Sequence, residues 1–289
     1  EPYLQGQSAW SLDLHVPEPG AEQARSGADP RTASAAADAG VAEVAAAEEA
    51  AAADAAASAA PLAAARTQLR VRSDLVGTTL RLPAPLRKAE DERLPLDLRI
   101  DLPTRDGRID LRLGRLLRLI GRLGEDASAF RGVAAFGGEA IGVLPQRGLQ
   151  VRGATSILDA AAWIGLALGG GGQGLRVDDI DISAGQLRLG ERVLPDQRVQ
   201  MQLDATGGRR LLFEGPAAQG RIDWPLDTSA PVLGRFERLH WPPGPDEDPS
   251  APPRRVDEPD PTALPPIDLV VEDAAFGKAR LGRLELLTR

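Results

Sequence analysis

Polar and apolar residues alternate over most of this chain. In "RLPLDLRIDL", Leu94, Leu96, Leu98, Ile100 and Leu102 share one parity, and Asp97, Arg99 and Asp101 share the other. "GRIDLRLGRL" sets Ile109, Leu111 and Leu113 against Arg108, Asp110 and Arg112. "DIDIS" and "GQLRLG" continue the style with Ile180, Ile182, Leu187 and Leu189, and the last two strand-like runs carry Leu269, Val271, Leu284 and Leu286. A period of two sends successive side chains to opposite faces, so this pattern predicts half-buried antiparallel strands, one face wet and one dry. Gly and Pro recur at short intervals, as meandering hairpins require. Asn is absent, so turns must use Gly-rich pairs such as Asp106-Gly107. The stretch "RSDLVGTTLRLPAPL" (72–86) reads as one more strand, with Leu75, Leu80 and Leu82 on its dry face and Pro83 and Pro85 ending it at a sheet edge.

Three stretches break the alternation. "ATSILDAAAWIGLALGGGGQG" predicts one short amphipathic helix. Ser156 and Asp159 have capping-box spacing, and Leu158, Ala162 and Leu166 form a stripe with Trp163 near its edge. The glycine run from 169 stops the helix, which is expected to cover one sheet face. Residues 18–66 are Ala-rich with scattered acids and have no face of large apolar residues. They predict a poorly anchored, disordered insertion with transient helix. Residues 242–266 form a Pro- and acid-rich loop that neither helix nor ladder accommodates. The expected organisation is therefore a β domain of residues 1–17 and 67–289 interrupted by the 18–66 insertion, with the 242–266 loop inside it. Residues 177–203 and 269–287 share a strand–Gly–strand plan, which suggests a sheet grown by repetition.

Composition narrows the chemistry. The broad apolar set is 43% of the chain but aromatics only 3%, so aliphatic side chains must build the dry face. There is no cysteine, which excludes disulfides and thiol chemistry. Residues 18–66 hold eight acids and three arginines, and residues 246–260 hold six acids and two arginines. The net charge of −8 thus sits in the two loops, and the remainder lacks the basic footprint of a nucleic-acid binder. No apolar run is long enough to span a bilayer; "AAAWIGLAL" is the longest. The chain opens straight into strand-like sequence, as an internal fragment of a longer protein would.

Catalytic constellations are not found. His15 has the parity of Asp13, which puts it on the wet face, and His240 stands alone at the lip of the Pro-rich loop. Two distant histidines give no metal-ligand spacing. Gly169, Gly171 and Gly174 fit a dinucleotide fingerprint formally, but they follow a helix and precede a strand, which is the wrong context. Acid pairs such as Asp178-Asp179 sit at strand ends without an aromatic cleft. Trp10, Trp163, Trp224 and Trp241 are expected to be packing anchors. No catalytic residue, metal or cofactor is expected. What remains is the dry face, which either packs against other side chains or lies open as an apolar groove.

An ordered series of stretches resembles the C-terminal half of the YhdP-type, AsmA-like envelope proteins of Gram-negative bacteria. They are "SDLVGTTLRLPAPLRKA…LPLDLRIDL" (73–102), "SILDAAAWIGLA" (156–167), "DIDISAGQLRLGERVLPDQRVQM" (179–201), "GPAAQGRIDWP" (215–225) and "PVLGRFERLHWPP…LPPIDLVVEDAAFGKARLGRLELLTR" (231–289). The resemblance covers most of the chain outside 18–66. It implies a mainly β fold, an extended, curled antiparallel sheet with an apolar groove, one or two short helices and long loops. It implies a periplasmic, non-enzymatic, bridge-like protein that conducts phospholipid between inner and outer membranes. The implied partners are phospholipid acyl chains, the inner membrane through an N-terminal anchor not in this chain, and outer-membrane components. The groove-lining candidates are then Leu80, Leu82, Leu96, Leu98, Ile100, Ile109, Leu111, Leu113, Ile180, Ile182, Leu187, Leu189, Leu269, Val271, Leu284 and Leu286. Leu158, Ala162, Trp163 and Leu166 would cover the sheet. The rivals are an adaptor β domain with a packed core, whose Pro-rich loop binds a partner, and, ranked lowest, a carbohydrate-active enzyme.

Overall fold

The alternating segments become strands of one large sheet. The computed structural model describes residues 3–17, 66–125, 129–169, 177–227, 229–243 and 265–288. The 18–66 insertion and most of the 242–266 loop lie outside the described residues. A small ladder joins β1 (Leu4–Gly6) to β4 (Thr78–Leu80). The main sheet begins with β2 (Trp10–His15), β3 (Thr67–Ser73) and β5 (Leu96–Leu102). It continues through β6 (Arg108–Leu113), β7 (Leu117–Arg122), β8 (Arg131–Phe136) and β9 (Gly148–Asp159). After the helix α1 (Ala160–Gly169) come β10 (Val177–Leu189), β11 (Arg192–Leu203) and β12 (Arg209–Glu214). The last strands are β13 (Ala218–Trp224), β14 (Val232–Trp241), β15 (Ile267–Phe276) and β16 (Ala279–Leu287).

These fourteen strands lie in chain order from β2 to β16, in a curled sheet that does not close into a barrel. Short hairpins explain that order, because a tight turn leaves the next strand only the adjacent position. The sheet is mixed rather than wholly antiparallel. The junctions β8–β9, β9–β10 and β14–β15 are parallel, and the other ten are antiparallel. Parallel neighbours need crossover connections. Residues 137–147, α1 with the residues after it, and the Pro-rich stretch between β14 and β15 supply them. The two similar stretches noted in the sequence occupy equivalent places: β10–β11 and β15–β16 are each a hairpin entered through a parallel crossover.

One face is polar. Register places Asp13, Arg70, Arg99 and Asp110 in one row, and Arg72, Asp97, Arg112 and Arg118 in the next. Opposite charges meet across strands: Arg70 donates to Asp97, Arg118 to Asp110, Arg198 to Asp181 and Arg235 to Asp268. His15 shares this face with Asp13, as its parity predicts. Val133 and Ala135 are buried here because the 137–147 crossover passes over the same face; a Cβ on Gly142 would lie 3.9 Å from Nη1 of Arg152, the direct partner of Ala135.

The hydrogen bonds from Arg70 and Arg198 hold the Asp97 and Asp181 carboxyls below the ordinary carboxylate range. A depressed carboxyl stabilises the fold above its unfolded pKa, and that contribution disappears as pH falls through the folded value. The urea midpoint is therefore expected to hold at neutral pH and to fall below about pH 4. Arg198→Gln should flatten part of that slope. A midpoint that stays level from pH 5 to pH 2.5 would contradict the assignment.

Candidate functional site: the concave apolar face

The face opposite the ion pairs is largely apolar, with Ser73, Thr155, Gln197 and Arg209 as polar members. Following register from edge to edge, one row reads Leu12, Val71, Leu98, Leu111, Leu119, Ala134 and Val151 across β2 to β9. It continues through Ile180, Met201, Leu211, Ile222, Gly234, Leu269 and Leu286 to the far edge. No polar side chain interrupts it. The adjacent row holds Leu96, Leu113, Leu117, Phe136, Gly153, Ile182 and Val199, then Phe213, Gly220, Phe236, Val271 and Leu284. On the other flank lie Leu14, Leu69, Ile100, Ile109, Gly121, Gly132 and Leu149. Curling gathers these side chains, so this is the concave face.

Of the sequence candidates, Leu96, Leu98, Ile100, Ile109, Leu111, Leu113, Ile180, Ile182, Leu269, Val271, Leu284 and Leu286 occupy these rows. Leu187 and Leu189 reach the same face by a different route. Leu187 follows Ile182 by five positions, an odd number, so a regular strand would send them to opposite faces. Asp196, in left-handed conformation (φ 46°), sits between the pairs Ala184–Gln197 and Gln186–Pro195 and faces Gly185. The facing of the side chains shifts by one on both strands here, while the pairing register continues unbroken. Leu187 and Leu194 then pack with Phe236 and Val271 in one buried cluster. A second shift, at the irregularity in β14 opposite Gln219 and Gly220, brings Leu239 and Ala274 into that cluster.

Leu80 and Leu82 are not lining residues of the main sheet, which corrects the sequence reading of 72–86. The main-sheet strand ends at Ser73, and Leu75 turns back in left-handed conformation (φ 55°). The chain from Asp74 to Pro95 then folds over the concave face as a cap. Leu75 and Leu80 pack on Leu113, Leu117, Phe136 and Ile182, so one long side of the groove is filled by protein. Within the cap, Lys88 is fully buried and donates to the carbonyls of Thr78 and Ala89, both at 2.6 Å. A cation in apolar surroundings needs such partners, and the two bonds tie the cap to itself.

The helix covers less than expected. It starts at Ala160, so Leu158 belongs to β9, where it packs in both apolar clusters. The N-cap is Asp159, which accepts from the Ala162 amide at 3.0 Å; Ser156 stays in the strand. Trp163 donates from Nε1 to the Ala84 carbonyl at 2.9 Å, and the Asp159 amide bonds the same oxygen. The helix base is thus fastened to the cap. Ala162 and Leu166 are half-buried. Trp10 and Trp224 are about half exposed (50% and 46%), so they are not packing anchors.

Phe130 escaped the sequence reading because it stands in a turn. Its ring lies where side chains at Gly121 and Gly132 would be, with 2.8 Å and 2.7 Å to their ideal Cβ positions. Phe136, Val199, Met201, Phe213 and Phe236 also complete the rows. For Phe136 and Phe213 the signal was masked because "VAAF" and "LLFEG" place several apolar residues in succession, whereas Val199 and Met201 alternate cleanly in "RVQMQL" and could have been found. Gln197 is the buried polar member of this face, and its Oε1 has no hydrogen-bond partner among the described residues.

Among the described residues, no three His, Asp or Glu side chains stand where they could hold a metal ion. His240 meets Asp273 at 2.8 Å on its own. Among the same residues, no helix is long and apolar enough to cross a membrane. Fold and face together define a curled, unclosed β-sheet protein with one polar and one largely apolar face. The family model described as YhdP protein matches residues 43–289, and the chain belongs to that family. No curated protein and no solved structure matches the chain.

Proposed function

We propose that this chain carries phospholipid acyl chains along its concave face, as one segment of a periplasmic bridge between the inner and outer membranes. The observation that carries the reading is the apolar row from Leu12 to Leu286, unbroken by any polar side chain. Fourteen strands at about 4.8 Å each give a path of about 60 Å along the sheet. An acyl chain in a bilayer leaflet reaches only about 15 Å. The face is therefore far longer than one lipid needs, which suits passage better than storage. Each CH2 removed from water gains about 0.8 kcal/mol. A uniform row offers that gain at every step, so a lipid meets neither a deep trap nor a high barrier. Family membership supports the same reading, and membrane attachment would come from chain outside this segment. The bridge would thereby maintain outer-membrane lipid supply and the permeability barrier.

Detergent-free purification followed by native mass spectrometry tests this directly. Adducts with phospholipid masses, together with uptake of a fluorescent phospholipid, are expected. A lipid-free protein that takes up none would reject the groove and leave an adaptor domain with a filled face.

A further inference from the structure

Three arginines stand in direct register at one end of the sheet. Arg108 of β6 faces Arg122 of β7, and Arg122 faces Arg131 of β8. Like charges directly opposite on neighbouring strands destabilise a sheet. Elsewhere on this polar face the arginines meet carboxylates: Arg70 and Arg99 meet Asp97, and Arg112 and Arg118 meet Asp110. Arg108, Arg122 and Arg131 have no ion pair among the described residues.

The arginines also border a cleft. Arg122 and Arg131 line a cavity of about 470 Å³, with Arg105 and Arg147 at its other sides. Arg105 is paired with Glu125, and Arg147 approaches Asp178 at 3.7 Å. Asp106 and Glu125 also line the cavity, but no described carboxylate forms an ion pair with the two middle guanidiniums. A planar guanidinium offers paired N–H donors that match phosphate oxygens. The position adds a second constraint. The strand ends that carry these arginines turn the opposite face toward the groove, at Ile109, Gly121, Gly132 and the ring of Phe130. Cationic lip and apolar wall are thus two sides of the same strand ends, on the flank away from the cap.

We infer that Arg122 and Arg131, supported by Arg108, form a phosphate-oxyanion site at the open lip of the groove. Inorganic phosphate and a phospholipid headgroup share this chemistry. Its use as a headgroup site, with tails passing Phe130 onto the concave face, rests on the lipid-carrying reading above.

The test uses the full 289-residue chain and three probes: inorganic phosphate, phosphatidylglycerol, and a diacylglycerol of the same chain length. Phosphorus NMR should show saturable phosphate binding that weakens roughly tenfold or more in Arg122→Gln/Arg131→Gln. Phosphatidylglycerol uptake should fall by a similar factor in that variant, with diacylglycerol uptake unchanged. Arg70→Gln, which removes a paired arginine of the same face, should leave phosphate binding as it is. Phosphate binding that is absent, or equal in native chain and double variant, overturns the site, as does an equal loss in Arg70→Gln. Arginine-dependent phosphate binding without uptake of either lipid supports the anion site and removes the lipid reading. Uptake of both lipids that ignores the double substitution supports the groove and removes the site.

Discussion

Leu98→Asp should cut phospholipid transfer by two to three orders of magnitude at pH 7 and leave the fold almost unchanged. Leu98 lies in the continuous apolar row, half-buried, and packs in neither of the two buried clusters. A carboxylate there stays hydrated while the groove is empty, so stability changes little. It becomes costly when an acyl chain slides across it, because the water must leave and nothing replaces its hydrogen bonds. The cheaper escape is protonation. For an Asp with an ordinary pKa of about 3.9, neutralisation at pH 7 costs about 4 kcal/mol, which corresponds to that loss of rate. The penalty shrinks as pH falls toward the pKa, so transfer by the variant should recover substantially at pH 5. Leu98→Asn should show no such recovery. Gln202→Asp, on the polar face of β11, should transfer as the native chain does. Circular dichroism and a fluorescent-lipid transfer assay between vesicles read both sides of this expectation. A folded Leu98→Asp chain that transfers lipid at the native rate would show that the concave face is not the path.

Leu187→Ala should behave in the opposite way, costing about 2–5 kcal/mol of stability while leaving transfer intact below the lowered melting point. Leu187 is 0% exposed and packs against Leu194, Phe236 and Val271, beyond the point where side-chain facing shifts on β10 and β11. Truncation removes apolar contact and leaves a cavity that a curled sheet, fixed by its ladders on both sides, closes only in part. Urea denaturation measures the loss. A change below about 1 kcal/mol would mean that the shift does not bury Leu187 as described. Together the two variants separate the parts proposed for one face: the cluster around Leu187 to hold the sheet together, and the stretch around Leu98 to meet the lipid.

Much of this was legible along the chain, for a local reason. Alternation is a property of neighbouring residues, so the strands carrying Leu98, Ile109, Ile180 and Val271, and the face each side chain takes, follow from parity alone. Mutual order followed from hairpin spacing. The errors arose where distant contacts overruled local pattern. Leu80 and Leu82 share strand parity, yet the segment leaves the main sheet at Ser73 and spends its leucines on a cap. Ser156 and Asp159 have capping-box spacing, yet β9 extends to Asp159 because β10 pairs with it in parallel up to that point. The crossovers that make three junctions parallel leave no signature in periodicity.

The sequence by itself determined a mainly β chain with one wet and one dry face, acid concentrated in its loops, and kinship with a family of envelope proteins. These depend on composition and on residues one or two positions apart. Only the tertiary structure decided that the dry residues of fourteen strands line up into one uninterrupted row, that a cap fills one side of it, and that Arg108, Arg122 and Arg131 meet without an ion pair among the described residues. Register is set by turns, slips and crossovers acting over the whole sheet, and no local pattern contains it.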